Sequence, residues 1–385
     1  MPAHAKRAGR RLQGVDAARG VALIGMIAVH ITPSIGDDGQ STLAHLLASG
    51  RASALFALLA GVGLALASGG TIPPRGARLR QAFAGTATRA ALLITVGMIL
   101  GQLDSGVAVI LVYYGLFFIL ALPFLGLRAR TLLPLAATWA VLAPLISHLL
   151  RIDAPRSAPG DPTVESLAEP ADLLRQLILT GYYPALPWMA YLLAGIGLGR
   201  LALASATVAW RLLVGGAALA TICSLLSWLL LRQGVLERLI DAGTGAHPTS
   251  RPFTDGPLTT SFYGTTPTTS WWWLTVASPH SSTPFDLLHT IGTAAAVLGL
   301  MLLLGHRLPT ALTPLADVGS MTFTLYTLHV VLLATILPRD HEHALLWHVV
   351  IVVGVAVPWR RFIGRGPLEA AAAAGAKAAQ ASLKA

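Results

Sequence analysis

Long apolar segments separated by polar connections dominate this chain and restrict it to a helical fold inside a membrane. Of its 385 residues 54% are hydrophobic and 11% are charged, and the mean hydropathy is +0.67. Soluble domains carry about 25% charged residues, and about 20 apolar residues in a row suffice to cross a bilayer as a helix. The sequence therefore predicts an all-α, polytopic integral membrane protein with about ten transmembrane helices, at 15–35, 52–70, 88–103, 106–125, 131–150, 183–200, 209–231, 284–305, 317–337 and 343–359.

The distribution of charge predicts how these spans are oriented. With ten spans both chain ends lie on one side, which carries 19 of the 27 Lys and Arg residues but only three of the 17 acidic residues. Basic connections are retained in the cytoplasm. We therefore expect cytoplasmic N- and C-termini in a multi-pass protein of the plasma (inner) membrane, embedded in the lipid bilayer. Topology then accounts for the net charge of +10, and we expect no nucleic-acid partner.

The spans are predicted to form one transmembrane domain over residues 1–369, followed by an alanine-rich cytoplasmic tail at 370–385. The single cysteine, Cys223, excludes a disulfide within one chain. Two long outer connections, about 151–182 and 232–283, offer room for an extracytoplasmic ligand. The second contains three consecutive tryptophans at 271–273, which fit either an interfacial anchor or a platform that stacks on a sugar.

Ionisable residues in the first span form the strongest candidate for a site. Arg19 and His30 are eleven residues apart, so they share one helix face and lie about 16 Å apart along the axis. Such residues are costly in a membrane and usually mark a functional interior. His30 is suited to take a proton from a hydroxyl or amine, or it makes a structural hydrogen bond. Arg19 either binds a phosphate or carboxylate or anchors the span while paired with Asp16.

Two further residues flank the start of the second span. His45 is predicted to lie close to the outer end of the first span, where it could share acid–base work with His30, although a solvated loop histidine is an equal alternative. Arg51 enters the second span from outside and requires an acidic partner or a substrate anion. We therefore place His45 beside His30 as a second candidate catalytic residue and Arg51 as a candidate substrate-binding residue.

A third group of polar residues surrounds the predicted start of a late span. Thr283 followed by Pro284 is typical of an N-cap and the first helical position. Asp286 and His289 then share a face, and His280 precedes them. These three side chains either bind a polar acceptor, or they reflect capping plus one Asp–His pair.

His329 lies in the outward half of the ninth span, three residues after Tyr326, and could join this group or make a buried structural hydrogen bond. The run His341, Glu342 and His343 with His348 resembles a metal site only superficially, because it defines no ligand set. We therefore expect no metal.

The order of several short motifs resembles the transmembrane acyltransferase superfamily. The Asp-x-x-Arg-Gly opening, with ten residues between Arg19 and His30, is similar to the acyltransferase-3 branch. A closer resemblance is to heparan-α-glucosaminide N-acetyltransferase-like and YeiB-like bacterial membrane proteins, and it extends over almost the whole chain. The motifs that carry it are VDxxRG at 15–20, LFALLAG at 55–61, YPALPW at 183–188 leading to GR at 199–200, MTFTLY at 321–326 and GPLE at 366–369.

This resemblance implies transfer of an acetyl or acyl group from cytosolic acetyl-CoA or another acyl-CoA to a glycan or glycolipid acceptor at the outer membrane face. In the heparan-acetylating branch an Asn matches His30 and a catalytic His follows in the next connection, where His45 stands here. The Trp-Asn-Gly that follows that histidine in the family is absent. Arg19 and Asp16 would then contact the CoA side. A transporter or lipid-handling protein is the competing interpretation, a non-catalytic scaffold is a third, and homo-oligomerisation is left open.

Overall fold

The computed structural model describes residues 12–154, 160–243 and 261–383. The basic residues before Leu12 and part of each long outer connection lie outside this range. Within it the chain forms only helices and loops, which confirms the all-α prediction. The helices are α1 Gln13–Ile31, α2 Leu43–Ala48, α3 Arg51–Ala67, α4 Ala77–Leu100, α5 Leu111–Ala121, α6 Ala129–Arg151, α7 Pro170–Arg175, α8 Ala185–Gly199, α9 Ala206–Leu230, α10 Leu236–Gly243, α11 Pro284–Arg307, α12 Thr313–Gly319, α13 Thr322–Ala334, α14 Ala344–Phe362 and α15 Pro367–Ala381.

The number of membrane-crossing helices is smaller than the ten predicted. Seven helical segments in the described ranges are long and apolar enough to span a bilayer, and up to nine if two bent pairs each count as one span. The bent pairs join Pro170–Thr180 to α8 at 57° and α12 to α13 at 79°. Each predicted segment is largely helical, but α8, α13 and the segment Leu111–Phe124 are each too short to cross alone. The protein is a multi-pass helical membrane protein.

Glycines allow the helices that carry the motifs to approach closely. A Cβ on Gly20 would overlap the carbonyl of Leu315 in α12, and a Cβ on Gly61 would overlap the carbonyl of Leu192 in α8. Inside a membrane, close contact of this kind replaces the hydrophobic effect as a source of helix association. The glycines of VDxxRG and LFALLAG therefore set the distances of α1 from α12 and of α3 from α8.

A buried guanidinium joins the ends of three helical segments. Arg200, directly after α8, donates to the carbonyls of Ala65 at 2.9 Å, Gly70 at 2.8 Å and Leu125 at 2.6 Å, and to the Ser68 hydroxyl at 2.9 Å. Carbonyls at helix ends have no partner within the helix. Arg200 thus provides donors to carbonyls where α3 ends and where the segment after α5 ends.

The last helix is attached to the bundle rather than projecting from it. α15 packs against α4, and Ala376 is 2% exposed although most of the tail is alanine. At the start of α15, Glu369 accepts hydrogen bonds from the backbone N–H of Phe323 and of Thr324 and from the Thr324 hydroxyl. The GPLE motif therefore caps α13, the helix that carries His329.

Candidate active site

Three histidines from three helices form a continuous row at one end of the bundle, which we call the histidine row. His30 Nδ1 of α1 lies 3.1 Å from His329 Nε2 of α13, and His329 Nδ1 lies 3.0 Å from His348 Nδ1 of α14. His348 Nε2 lies 3.0 Å from the carbonyl oxygen of Leu337. The rings of His30 and His329 are stacked within 9°, and His329 and His348 are fully buried. His30 is thus joined to two helices that are distant in sequence.

His45 lies at the same end of the bundle, on the short helix α2. Its Nε2 is 3.0 Å from the carbonyl of Thr32, directly after α1. Because a carbonyl only accepts, this nitrogen carries the proton, and Nδ1 of a neutral His45 keeps its lone pair. The side chain is half-buried and lies within electrostatic range of both His30 and His280. A second imidazole therefore stands next to the histidine row.

His280 completes this group from the loop that precedes α11. It is 6% exposed, and its backbone has a φ of 57°, a left-handed conformation that is uncommon for a residue with a side chain. Its Nδ1 is buried without a hydrogen-bond partner among the described residues. Burial, with His30 and His45 nearby, lowers the pKa of His280 to about 3, so the ring is neutral at pH 7. A strained, buried imidazole with an unused nitrogen is a feature of functional sites.

Aromatic rings enclose His280. Its ring stacks on Trp188 at an interplanar angle of 14° and lies 4.5 Å from the Tyr182 ring, measured between centroids. Tyr183 contacts both Trp188 and His280 edge-on. The YPALPW motif therefore forms the wall against which the His280 ring is held.

Hydrogen bonds from α11 and α8 fix the loop that carries His280. The Thr283 hydroxyl accepts from the N–H of Asp286 at 3.1 Å, and Pro284 follows it, which confirms the predicted N-cap. The Asp286 carboxylate accepts from the N–H of Ser282 at 3.0 Å, and Trp188 Nε1 donates to the Ser282 hydroxyl at 3.2 Å. Asp286 thus supports the loop that presents His280.

The Asp286–His289 pair that the spacing suggested is not formed. His289 points toward α9, where its Nδ1 lies 2.8 Å from the Ser224 hydroxyl and 3.1 Å from the Ala220 carbonyl. Its Nε2 accepts from Arg51 Nε at 3.2 Å. Residues three apart share a helix face only approximately, and α9 supplies His289 with the better partners. Arg51 thus donates to an imidazole, its Nη1 also donates to the Leu46 carbonyl at 3.0 Å, and the Asp286 carboxylate lies within electrostatic range of it.

Arg19 lies nearer the opposite end of α1 from His30. Its Nη1 is 3.2 Å from the Asp16 carboxylate, and Nη2 donates to the Leu59 carbonyl at 3.4 Å. A Cβ on Gly63 would come within 2.5 Å of Nη2, so the bare glycine of α3 leaves room for the guanidinium. The pair with Asp16 that the sequence suggested is present. About a quarter of the Arg19 side chain remains exposed.

The three consecutive tryptophans are divided between surface and core. Trp273 is 3% exposed, whereas Trp271 and Trp272 are 49% and 38% exposed. Trp271 contacts the ring of His148, and Arg238 lies over the ring of Trp272. None of these contacts involves the histidine row.

Sequence reasoning missed two parts of the site. His348 was considered only for a metal site, and its place behind His329 depends on how α13 and α14 pack. Trp188 entered the sequence analysis only as part of the YPALPW motif, and Tyr182, just before that motif, carried no signal. In the part of the chain that the structure describes, no three His, Cys, Asp or Glu side chains form a group that could hold a metal ion.

The fold and this group of residues define a multi-pass membrane protein with a partly buried histidine cluster at one end and, toward the other, an arginine whose side chain is about a quarter exposed. The family model for the catalytic part of heparan-alpha-glucosaminide N-acetyltransferase matches residues 11–231. The chain belongs to this family of membrane acetyltransferases. No curated protein matches the chain. The matched residues include Arg19, His30, His45 and the YPALPW motif, whereas His280, His329 and His348 lie beyond them.

Proposed function

We propose that this protein moves an acetyl or other acyl group from cytosolic acyl-CoA to an amine or hydroxyl of an extracytoplasmic carbohydrate or glycolipid. One observation carries the proposal: His30, His45 and His280 come together at one end of a bundle that belongs to an acetyltransferase family. The excess of basic residues toward the opposite end supports a cytoplasmic location for that end, and we place the protein in the plasma membrane.

In this reaction the acceptor nitrogen or oxygen attacks the thioester carbonyl carbon. His30 or His45 takes the acceptor proton as the new bond forms, because a neutral imidazole is an effective base near pH 7. The carbon–sulfur bond then breaks, and the proton passes from the imidazole to the departing thiolate. An acyl-histidine intermediate would divide the same transfer into two steps.

Arg19 is the residue that we assign to the donor. A guanidinium presents several N–H donors to a phosphate, and Arg75, Arg78 and Arg80 at the start of α4 are exposed and available to do the same. With the CoA phosphates held near Arg19, the thioester has to reach His30, about 16 Å along α1. Asp16 orients Arg19 through the observed ion pair.

The acceptor would bind where His280 is presented. The unused Nδ1 of His280 offers a hydrogen bond, and the surrounding aromatic rings offer faces against which a sugar can pack. Arg51 follows Gly50, which contacts Pro279 of the His280 loop. Arg51 and His289 therefore form a polar pair beside the acceptor, Asp286 holds the loop, and His329 supports His30 from behind.

The test is an acetyl-transfer assay on purified protein in nanodiscs, with radiolabelled acetyl-CoA as donor and glucosamine or a lipid-linked glucosamine as acceptor. We expect transfer by the wild type and loss of at least about 100-fold in His30→Ala or His45→Ala, the usual contribution of a general base. His341→Ala is the matched control, because His341 is exposed and bonds only the neighbouring Glu342 carbonyl.

Two results would refute the proposal. One is undiminished turnover in both His30→Ala and His45→Ala with normal folding. The other is movement of a solute or lipid across vesicles without acyl chemistry, which would favour a transporter that uses the same polar residues.

A further inference from the structure

We propose that His329 and His348 are positioning residues that hold His30 in the single tautomer whose Nε2 is free to accept a proton. Only the role of that free nitrogen, as the base that takes the proton of the acyl acceptor, rests on the proposed function. The ordering of protons follows from the geometry of the histidine row itself.

The Leu337 carbonyl determines the direction of every hydrogen bond in the row. A carbonyl has no proton to give, so His348 Nε2 must donate to it, and Nδ1 of a neutral His348 must then accept. His329 therefore donates from Nδ1 and accepts at Nε2. His30 in turn donates from Nδ1, which leaves the lone pair on its Nε2.

The surroundings of the row favour neutral rings. His329 and His348 are fully buried, and burial without a counter-charge disfavours an imidazolium. Arg339 and His45 are within electrostatic range of His30. The positive charge of Arg339 disfavours a second positive charge on the His30 ring. Two adjacent charged rings would also place N–H against N–H and lose the hydrogen bond between them.

The use of the ring nitrogens distinguishes the row from ordinary core packing. Both nitrogens of His329 and of His348 have partners, so each ring is fixed in orientation as well as in position. Among the described residues, Nε2 of His30 has no hydrogen-bond partner, and His30 is only half-buried. The row therefore ends on one free basic nitrogen, on the side where His45 and His280 lie.

Two substitutions at His348 separate a positioning role from a structural one. His348→Gln keeps an acceptor toward His329 and a donor toward Leu337, so it preserves the direction of the row. His348→Phe fills the space but removes both hydrogen bonds, which frees His329 and then His30 to change tautomer. His341→Ala again serves as the control, because it removes an exposed imidazole outside the row.

The first readout is the ¹⁵N spectrum of histidine-labelled protein in nanodiscs, with the His30 signals assigned by their loss in His30→Asn. Protonated and unprotonated nitrogens of a neutral imidazole differ widely in ¹⁵N shift. We expect His30 to carry its proton on Nδ1 alone in the wild type and in His348→Gln, and a mixture of tautomers in His348→Phe.

The second readout is acetyl transfer from acetyl-CoA to glucosamine. We expect kcat to fall roughly tenfold or more in His348→Phe, with KM for acetyl-CoA unchanged, and to recover in His348→Gln. A wild-type His30 protonated on Nε2, or a His348→Phe variant with an unchanged His30 spectrum, would overturn the inference. If no protein transfers acetyl groups while His348→Phe still alters the His30 tautomer, the proposed function fails and the ordering of the row stands.

Discussion

The Thr324 hydroxyl donates to the Glu369 carboxylate at 2.6 Å, so the start of α13 is attached to the start of α15. The same carboxylate also accepts from the backbone N–H groups of Phe323 and Thr324. First-turn N–H groups of a helix have no partner within the helix. A residue near the end of the sequence thus supports the helix that carries His329.

We therefore predict that Glu369→Ala destabilises the protein by about 1 kcal/mol, toward the lower end of the cost of leaving donors unpaired, because these donors are only partly buried. Glu369→Gln should cost less, because its carbonyl oxygen can still accept. Thermal unfolding of the detergent-solubilised protein measures the difference. Glu342→Ala is the control, since 87% of the Glu342 side chain is exposed, and equal losses in Glu342→Ala and Glu369→Ala would contradict the prediction.

Close contact of α3 with α8 should make Gly61 intolerant of any side chain. Gly61→Ala places a methyl group against the Leu192 carbonyl, and overpacking of this kind costs about 1–3 kcal/mol. Gly215→Ala adds the same methyl group to another apolar helix where nothing lies within 4 Å. Size-exclusion profiles and melting temperatures should be altered in Gly61→Ala alone, and two equally stable variants would show that the packing is looser than described.

The pH dependence of stability should include a contribution from Asp161. Burial raises the pKa of this carboxyl from 3.8 to about 6, against the hydrogen bond from the Val109 N–H. Between about pH 4 and 6 the folded state binds a proton that the unfolded state has lost. Stability from this group is therefore greatest below pH 4 and is lost as the pH rises through 6.

Asp161→Asn should remove that fall in melting temperature between pH 4 and 7, because its amide oxygen can still accept from Val109. Asp153→Asn in the same outer connection is the control, since Asp153 is exposed. An unchanged pH profile in Asp161→Asn would show that the carboxyl titrates alike in both states.

His280 should affect the acceptor and not the donor. His280→Asn keeps a residue that tolerates the left-handed backbone but removes the ring and its unused nitrogen. We expect KM for glucosamine to rise about 3- to 10-fold, the equivalent of one hydrogen bond, with KM for acetyl-CoA unchanged. His343→Asn is a matched control, because His343 also has a positive φ, 59°, and is exposed. A rise in KM for acetyl-CoA alone would place His280 on the donor side.

Arg19 should affect the donor and not the acceptor. Arg19→Gln removes the charge that we assign to the CoA phosphates, and we expect KM for acetyl-CoA to rise about tenfold because hydrogen bonds to charged groups are the stronger ones. Arg211→Gln removes an exposed positive charge near the start of α9. Steady-state kinetics with varied acetyl-CoA distinguish the two variants, and similar KM values would leave Arg19 with only its structural pair to Asp16.

The sequence allowed the helical class to be predicted because apolar length is a local property. Thr283 and Pro284 were also predictable, since an N-cap and the residue after it are adjacent in the chain. The number of spans was not predictable, because α8 and α13 are long enough to cross a membrane only together with the bent segments that precede them. A break in a helix depends on packing that hydropathy does not record.

Contacts between helices that are distant in sequence limit how much of the candidate site can be predicted from the sequence. Spacing placed His329 in the outward half of its span, but its bonds to His30 and His348 join positions 299 and 19 residues apart. The prediction of an Asp286–His289 pair was wrong because Ser224, on another helix, binds the imidazole of His289 instead. The left-handed backbone of His280 left no signal in the sequence either, since such positions usually favour glycine.

The hydrogen-bond acceptor at the His348 end of the histidine row is a main-chain oxygen, that of Leu337. Any amino acid at position 337 would supply the same atom, so a change of that side chain leaves the polarity of all three rings intact. A substitution at position 337 therefore affects the row only through the packing of that side chain, which is 7% exposed, whereas a shift of the backbone after α13 would reorient three imidazoles at once.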